Sequence, residues 1–134
     1  MSDLRPFDDT RYVALTTFRR SGDPVTTAVW VVTHDGGYAC TTGATSGKVK
    51  RLRHTARVEL AVCDVRGRVA EGAQRFTGTA RVVDDPEEYA RIHAAVTRRY
   101  GIQARLLVVW SRIGRLLGRS AAESAVAWSV DGPA

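Results

Sequence analysis

The chain has 134 residues, 44% of them hydrophobic and 25% charged, and carries 20 Lys and Arg against 14 Asp and Glu, a formal charge of +6 with a pI near 10. A chain of this size builds one core rather than two, the composition excludes a disordered or fibrous protein, and no apolar run is long enough to span a bilayer. Residues 1–10 are polar and acidic with no hydrophobic signal segment, so the expectation is a single domain over residues 1–134 in the cytoplasm.

Residues 1–11 contain Pro6, Asp8 and Asp9 and read as an arm or a short turn, of a kind able to reach a partner subunit. Residues 12–19 (YVALTTFR) set Val13, Leu15 and Thr17 against Tyr12, Ala14, Thr16 and Phe18, the period of a strand in β-branched and aromatic side chains. Ser21-Gly22-Asp23-Pro24 is a turn, and residues 25–33 (VTTAVWVVT) return as a second strand, antiparallel to the first. Asp35-Gly36-Gly37 turns the chain again into a third strand at residues 38–42, completing a meander.

A fourth strand at residues 57–64 (RVELAVCD) alternates Val58, Leu60 and Val62 with Arg57, Glu59, Ala61 and Cys63. Residues 65–73, with Gly67 and Gly72, form a loop roomy enough for a flap; residues 74–83 form a fifth strand in which Gly78 marks a bulge or a close approach. Asp84-Asp85-Pro86-Glu87 starts a helix that carries Tyr89, Ile92, Val96 and Tyr100 at helical spacing and stops at Gly101. Residues 102–117 predict a second, amphipathic helix, with Leu106, Trp110, Ile113 and Leu117 on one side and Arg105, Arg112, Arg115 and Arg119 on another, suited to packing on the sheet rather than to a membrane. Residues 124–130 (SAVAWSV) close the sheet. Six antiparallel strands in so short a chain close most easily as a small barrel, a mainly β fold with peripheral helices.

The stretch richest in chemistry is residues 41–57, TTGATSGKVKRLRHTAR. No acid lies between Asp35 and Glu59, while Lys48, Lys50, Arg51, Arg53 and Arg57 crowd together. A strand that turns through Gly43-Ala44-Thr45-Ser46-Gly47 into a short helix from Lys48 to about His54 leaves backbone N–H groups free for an anion, with Thr45 or Ser46 as the N-cap. A basic helical face is ordinarily just solvated, but cations in the first turn oppose the helix dipole unless an anion offsets them, which favours a phosphate site.

Cys40 and Cys63 each lie within a predicted strand beside apolar neighbours and read as buried free thiols, and His34, His54 and His93 show no metal-ligand spacing, so no metal is assigned. The net charge alone invites nucleic acid, yet the basic residues lack interleaved aromatics and no nucleic-acid-binding signature is present; no such partner is expected. No hydrolytic triad, carboxylate pair or Cys-His pair is visible, and catalytic residues remain unassigned.

The strand order, together with YVALTTFRRSGDPVTTAVW, TTGATSGKVKRLRHTARV and AVCDVRGRV, resembles the pyridoxine-phosphate-oxidase-like split β-barrel family, and within it the branch of oxidoreductases that use the deazaflavin coenzyme F420. The resemblance implies an FMN-binding-like, six-stranded antiparallel split barrel, a homodimer, and a cofactor in a groove between the subunits. It implies that Ser46, Lys48 and Lys50 hold the phosphate, with Thr42 nearby and Arg51 within reach of an acidic tail, and that Thr27, Val29 and Trp30 run under the ring. The Arg and Lys that FMN-using members carry along the second strand are replaced by Thr27 and Val32, which favours F420 with FMN as the alternative; Thr55-Ala56 replaces an Asn-Pro common in the F420 branch. The activity implied is hydride transfer between F420 and a small conjugated organic substrate, with Tyr38 or Thr17 as proton-donor candidates. The rival readings are a non-catalytic flavin- or haem-binding barrel and a polyanion binder.

Overall fold

Alternation along the first strand organises the whole molecule. In the computed structural model, which describes residues 5–43, 47–101 and 123–134, β1 (Tyr12–Phe18) turns its Val13, Leu15 and Thr17 fully inward. It pairs antiparallel with β2 (Pro24–Trp30) in the register Val13–Val29, Leu15–Thr27 and Thr17–Val25. Gly22, at φ 92°, makes the connecting turn and donates its N–H to the Arg19 carbonyl.

The predicted second strand does not run unbroken to residue 33. It is interrupted at Val31 and resumes as β3 (Val32–His34), which pairs with β4 (Gly37–Gly43) through a turn at Asp35 and Gly36 with φ of 47° and 80°. β5 (Arg57–Val62), β6 (Phe76–Val83) and β7 (Glu123–Pro133) complete one seven-stranded sheet of order β2-β1-β5-β6-β7-β4-β3, antiparallel at every pairing. Its two edge strands, β2 and β3, are consecutive pieces of one stretch separated by a single residue, so the sheet curls until its edges meet at Val31. The six strands expected from sequence become seven only because of that interruption.

Two apolar layers follow. Inside the curl lie Val13, Leu15, Val29, Val31, Tyr38, Cys40, Val58, Leu60, Phe76, Val126 and Trp128. Gly78 lies at the β6 bulge, where a Cβ would meet the Ser129 carbonyl oxygen at 2.5 Å, so only glycine fits. Phe7 enters the same interior at 0% exposure, edge-on to Tyr38 and Phe76 at centroid distances of 5.3 and 5.7 Å. The described part of the N-terminal arm therefore plugs its own barrel.

Outside, α2 (Pro86–Tyr100) packs Ile92, Val96 and Tyr100 on Val32, Ala39, Val83, Ala125 and Ala127. Its start is as the sequence predicts: Asp85 caps the Glu87 N–H, Pro86 opens the first turn, and Gly101 ends the helix. The short α1 (Gly47–Leu52) turns Val49 and Leu52 inward. The predicted helix at residues 102–117 and the N-cap at Thr45 or Ser46 lie outside the described residues. Among the described residues no helix is long and apolar enough to cross a membrane.

At the Val31 interruption the Val31 N–H donates to the Arg11 carbonyl at 3.3 Å, and side chains of α2 add further partners to both peptide groups. The Tyr100 hydroxyl accepts from the Val31 N–H at 3.0 Å and reaches the Val31 and Arg11 carbonyls at 2.7 and 2.8 Å; Arg99 donates to the Val31 carbonyl at 2.9 Å and to that of Thr10 at 2.5 Å. Tyr100→Phe is expected to keep the ring packed and to leave the Val31 N–H on the Arg11 carbonyl and the Val31 carbonyl on Arg99, so it should cost only about 0.5–1.5 kcal/mol. Chemical denaturation should show a lower midpoint at an unchanged slope; an unaltered midpoint would show that the hydroxyl carries no stability.

Candidate functional site

Cross-strand partners share a face, so Tyr12, Ala14 and Thr16 of β1 point outward with Trp30, Ala28 and Thr26 of β2. These outward side chains are small around Ala14, Ala28 and Ala61, and the loop after β5 folds over them: a Cβ on Gly67 would lie 3.7 Å from that of Ala28. Where this surface meets the end of β4 and the start of α1, a cleft of about 320 Å³ opens, lined by Tyr12, Ala28, Val29, Trp30, Thr41, Thr42, Lys48 and Val65. One wall is aromatic and aliphatic. The opposite corner offers two hydroxyls and an ammonium.

The residues singled out from sequence divide into those that meet here and those that do not. Val29, Trp30, Thr42 and Lys48 line the cleft. Thr27 does not: it pairs with Leu15, and its buried Oγ1 finds no partner among the described groups. Lys50 is exposed and lies two residues from Lys48, about 200° around the helix, so the two ammonium groups diverge. Arg51 sits between: its Nε donates to Thr17 Oγ1 at 2.5 Å, and its guanidinium folds back so closely on Gly47 that a Cβ there would meet Nη1 at 2.5 Å. Burial, and then the charge of Arg19, lower the pKa of Arg51. Ser46 lies outside the described residues.

With only six residues in α1, a macrodipole contributes little, and attraction for an anion rests on Lys48 itself. Lys48 is also close enough to pull on the Cys40 thiol, but complete burial dominates and pushes that thiol up to about 12, leaving it inert. Tyr38 and Thr17 do not line the cleft. Tyr38 is 1% exposed, donates to Asp8 Oδ1 at 2.6 Å, and has its pKa pushed to about 12 by burial and by that bond, which removes it as a proton donor to the cleft. Trp30, by contrast, is held in place by a parallel stack on Tyr100 at 4.7 Å and 8°.

Tyr12, Ala28, Thr41 and Val65 were missed from sequence. Tyr12 and Ala28 carried a signal, since both share the face of Trp30; Val65 comes from a loop that only folding brings to β2.

The family is settled by comparison with known sequences: a profile described as pyridoxamine 5'-phosphate oxidase matches residues 3–128, nearly the whole chain. The chain belongs to the pyridoxamine 5'-phosphate oxidase family. No curated protein matches it. Among solved structures, HutZ, the heme storage protein of Vibrio cholerae, is similar over 92% of this chain and 83% of its own at 15% identity and a TM-score of 0.64. The conserved hypothetical protein Rv2991 of Mycobacterium tuberculosis is similar over 91% of this chain and 77% of its own at 24% identity and a TM-score of 0.62. A FAD-binding protein of Mesorhizobium loti is similar over 92% and 82% at 12% identity and a TM-score of 0.57. At such identities the likeness speaks for the fold, a split barrel of the pyridoxamine-phosphate-oxidase kind.

A second polar cluster lies away from the cleft. Folding brings His34, Asp35 and Glu88 within 4.8 Å of one another across more than fifty positions, a grouping that linear spacing hides. Both Glu88 oxygens are taken by Arg81, one at 2.7 Å, and His34 Nε2 lies 2.7 Å from Glu88 Oε2, so the cluster works as an ion-pair network tying α2 to the sheet. Arg81 first and His34 second hold the Glu88 carboxyl well below its ordinary value of 4.5, at about 2. A depressed carboxylate stabilises the fold above its unfolded value and loses that contribution as pH falls from about 4.5 towards 2. Glu88→Gln is expected to cost about 1–2 kcal/mol near neutrality, screening at the half-exposed Arg81 being allowed for. In thermal melts the gap to the parent should close between pH 5 and pH 2; a gap independent of pH would exclude the ion pair as its cause.

Proposed function

We propose that the protein is an oxidoreductase that binds coenzyme F420 and passes a hydride between this deazaflavin and a small conjugated organic substrate. The observation that carries the reading is the meeting, in one cleft, of a flat apolar wall built from Tyr12, Ala28, Trp30 and Val65 with a corner made of Thr41, Thr42 and Lys48. A planar ring buries apolar area against the wall, and a phosphate takes charge-assisted hydrogen bonds from the corner.

When bound, the deazaflavin would supply the hydride. The chain's residues orient and enclose. Trp30, immobilised on Tyr100, sets the plane of the ring, the small Ala28 side chain permits close approach to β2, and Val65 keeps water from one rim. The Tyr12 phenol, on the same wall, would be the proton donor, a role the inward-facing Tyr38 cannot take.

The charge count supports F420 over FMN. Lys48 is the one cation lining the cleft among the described residues, and a single ammonium matches a phosphodiester with one charge better than a phosphomonoester with two. The likeness to HutZ, a heme storage protein, raises a carrier reading, for which Tyr12 is the haem-iron ligand type that the described lining offers. The cleft's volume of about 320 Å³ is small and open for a tricyclic cofactor, so a second copy of the chain supplies the missing wall in a homodimer with the cofactor at its interface.

Purified protein titrated separately with F420, FMN and haemin, read by tryptophan emission and by co-elution, tests the reading. F420 is expected to quench, Trp30→Phe to abolish most of the quench, and light scattering to report a dimer. Lys48→Ala should weaken F420 binding by more than about tenfold, and Lys50→Ala by less than about threefold. Binding of FMN without F420 would replace the cofactor, and binding of neither would sink the proposal.

A further inference from the structure

Independently of the cofactor cleft, a second depression opens at the other end of α1. It has a volume of about 490 Å³ and is lined by Phe18, Arg19, Arg20, Gly22, His54, Thr55 and Arg57, sharing no residue with the cleft at Trp30 and Lys48. Its lining holds three arginines and a histidine and not one carboxylate.

The chain's own architecture concentrates these cations. The tight turn after β1, closed by the Gly22 N–H on the Arg19 carbonyl at 2.8 Å, returns Arg19 and Arg20 beside the segment that leaves α1. Arg20 lies against the His54 ring, with Nε 3.3 Å from Nε2 and an Nη nitrogen 3.4 Å from Nδ1, and Arg57 stacks its guanidinium 4.4 Å over the Phe18 ring. Arg51 adds to the crowding, since Arg19 is near enough to lower its pKa. Among the described residues no carboxylate lies within ion-pair distance of Arg19 or Arg20, and Arg57 has Glu59 at 3.4 Å on its exposed edge. Like charges crowded together repel one another, and more strongly where they are partly desolvated. A folded chain that accumulates them without counter-charges is balanced by a ligand that brings its own.

We propose that this depression is a binding site for a small, multiply charged oxyanion, a phosphate ester, a diphosphate or an oligocarboxylate, held by Arg19, Arg20 and Arg57 with His54 at its edge. Guanidinium groups present paired N–H donors that match two oxygens of a phosphate or carboxylate at once, a geometry lysine cannot reproduce. The volume exceeds that of one phosphate and suits two linked anionic groups. The exposed basic rim makes the affinity dependent on ionic strength.

Calorimetric titration with inorganic pyrophosphate, and separately with citrate, tests the site. The parent protein is expected to bind at low salt, with affinity falling at least about fivefold between 50 and 300 mM NaCl. Arg20→Ala combined with Arg57→Ala should weaken pyrophosphate binding by more than about tenfold, whereas Lys48→Ala should leave it within about twofold. Because Arg57 also packs on Phe18, Arg20→Ala alone is measured beside the double variant and should retain the parent melting curve while losing several-fold in affinity. Equal binding by parent and variants, or loss on Lys48→Ala instead, would overturn the proposal. So would retention of a short DNA duplex by a protein that ignores both small anions.

Discussion

The structure depends on one irregular junction in a strand. At Val31 the chain leaves one edge of the sheet and joins the other, so the curl closes only if the peptide groups around that residue find partners elsewhere. Buried peptide groups without partners cost several kilocalories per mole; here the Val31 N–H pairs with the Arg11 carbonyl, and one phenol and one guanidinium from the C-terminal turn of α2 add bonds to the carbonyls of residues 10, 11 and 31 and to the Val31 N–H. The helix is thus part of the barrel's closure as well as a cover for its outer face.

That closure also shapes the cleft. Trp30 immediately precedes the junction and points outward, where the same Tyr100 that satisfies Val31 stacks beneath its indole. Closing the sheet and orienting the aromatic wall are therefore one event, and the wall is set before any ligand arrives. Preorganisation of this kind lowers the ordering cost of holding a flat molecule.

Charge is partitioned with equal clarity. Glu88, Asp35 and His34 gather with Arg81 and Arg91 at the start of α2, where cations and carboxylates offset one another. Around α1 the cations have few such partners: Lys48 faces one depression, while Arg19, Arg20 and Arg57 face the other. Among the described residues, cations without a carboxylate beside them thus gather at both ends of α1.

Strand periodicity, the Gly22 and Gly36 turns, the bulge at Gly78 and the Asp85-Pro86 start of α2 were all legible in the sequence, because each is set by interactions among residues a few positions apart. The basic run and Trp30 could be picked out in the same way, and local pattern reached the family. What the linear pattern could not carry was anything requiring distant segments to meet: Phe7 in the barrel, Val65 against β2, Glu88 between Arg81 and His34, and the interruption at Val31. It also named Lys48, Lys50 and Arg51 together, whereas helical rotation turns Lys50 away from Lys48 and the contact with Thr17 engages Arg51. Sequence alone determined which side chains alternate and where the chain turns, since those follow from local geometry; only the tertiary structure decided which of them face one another, since that depends on how the sheet closes.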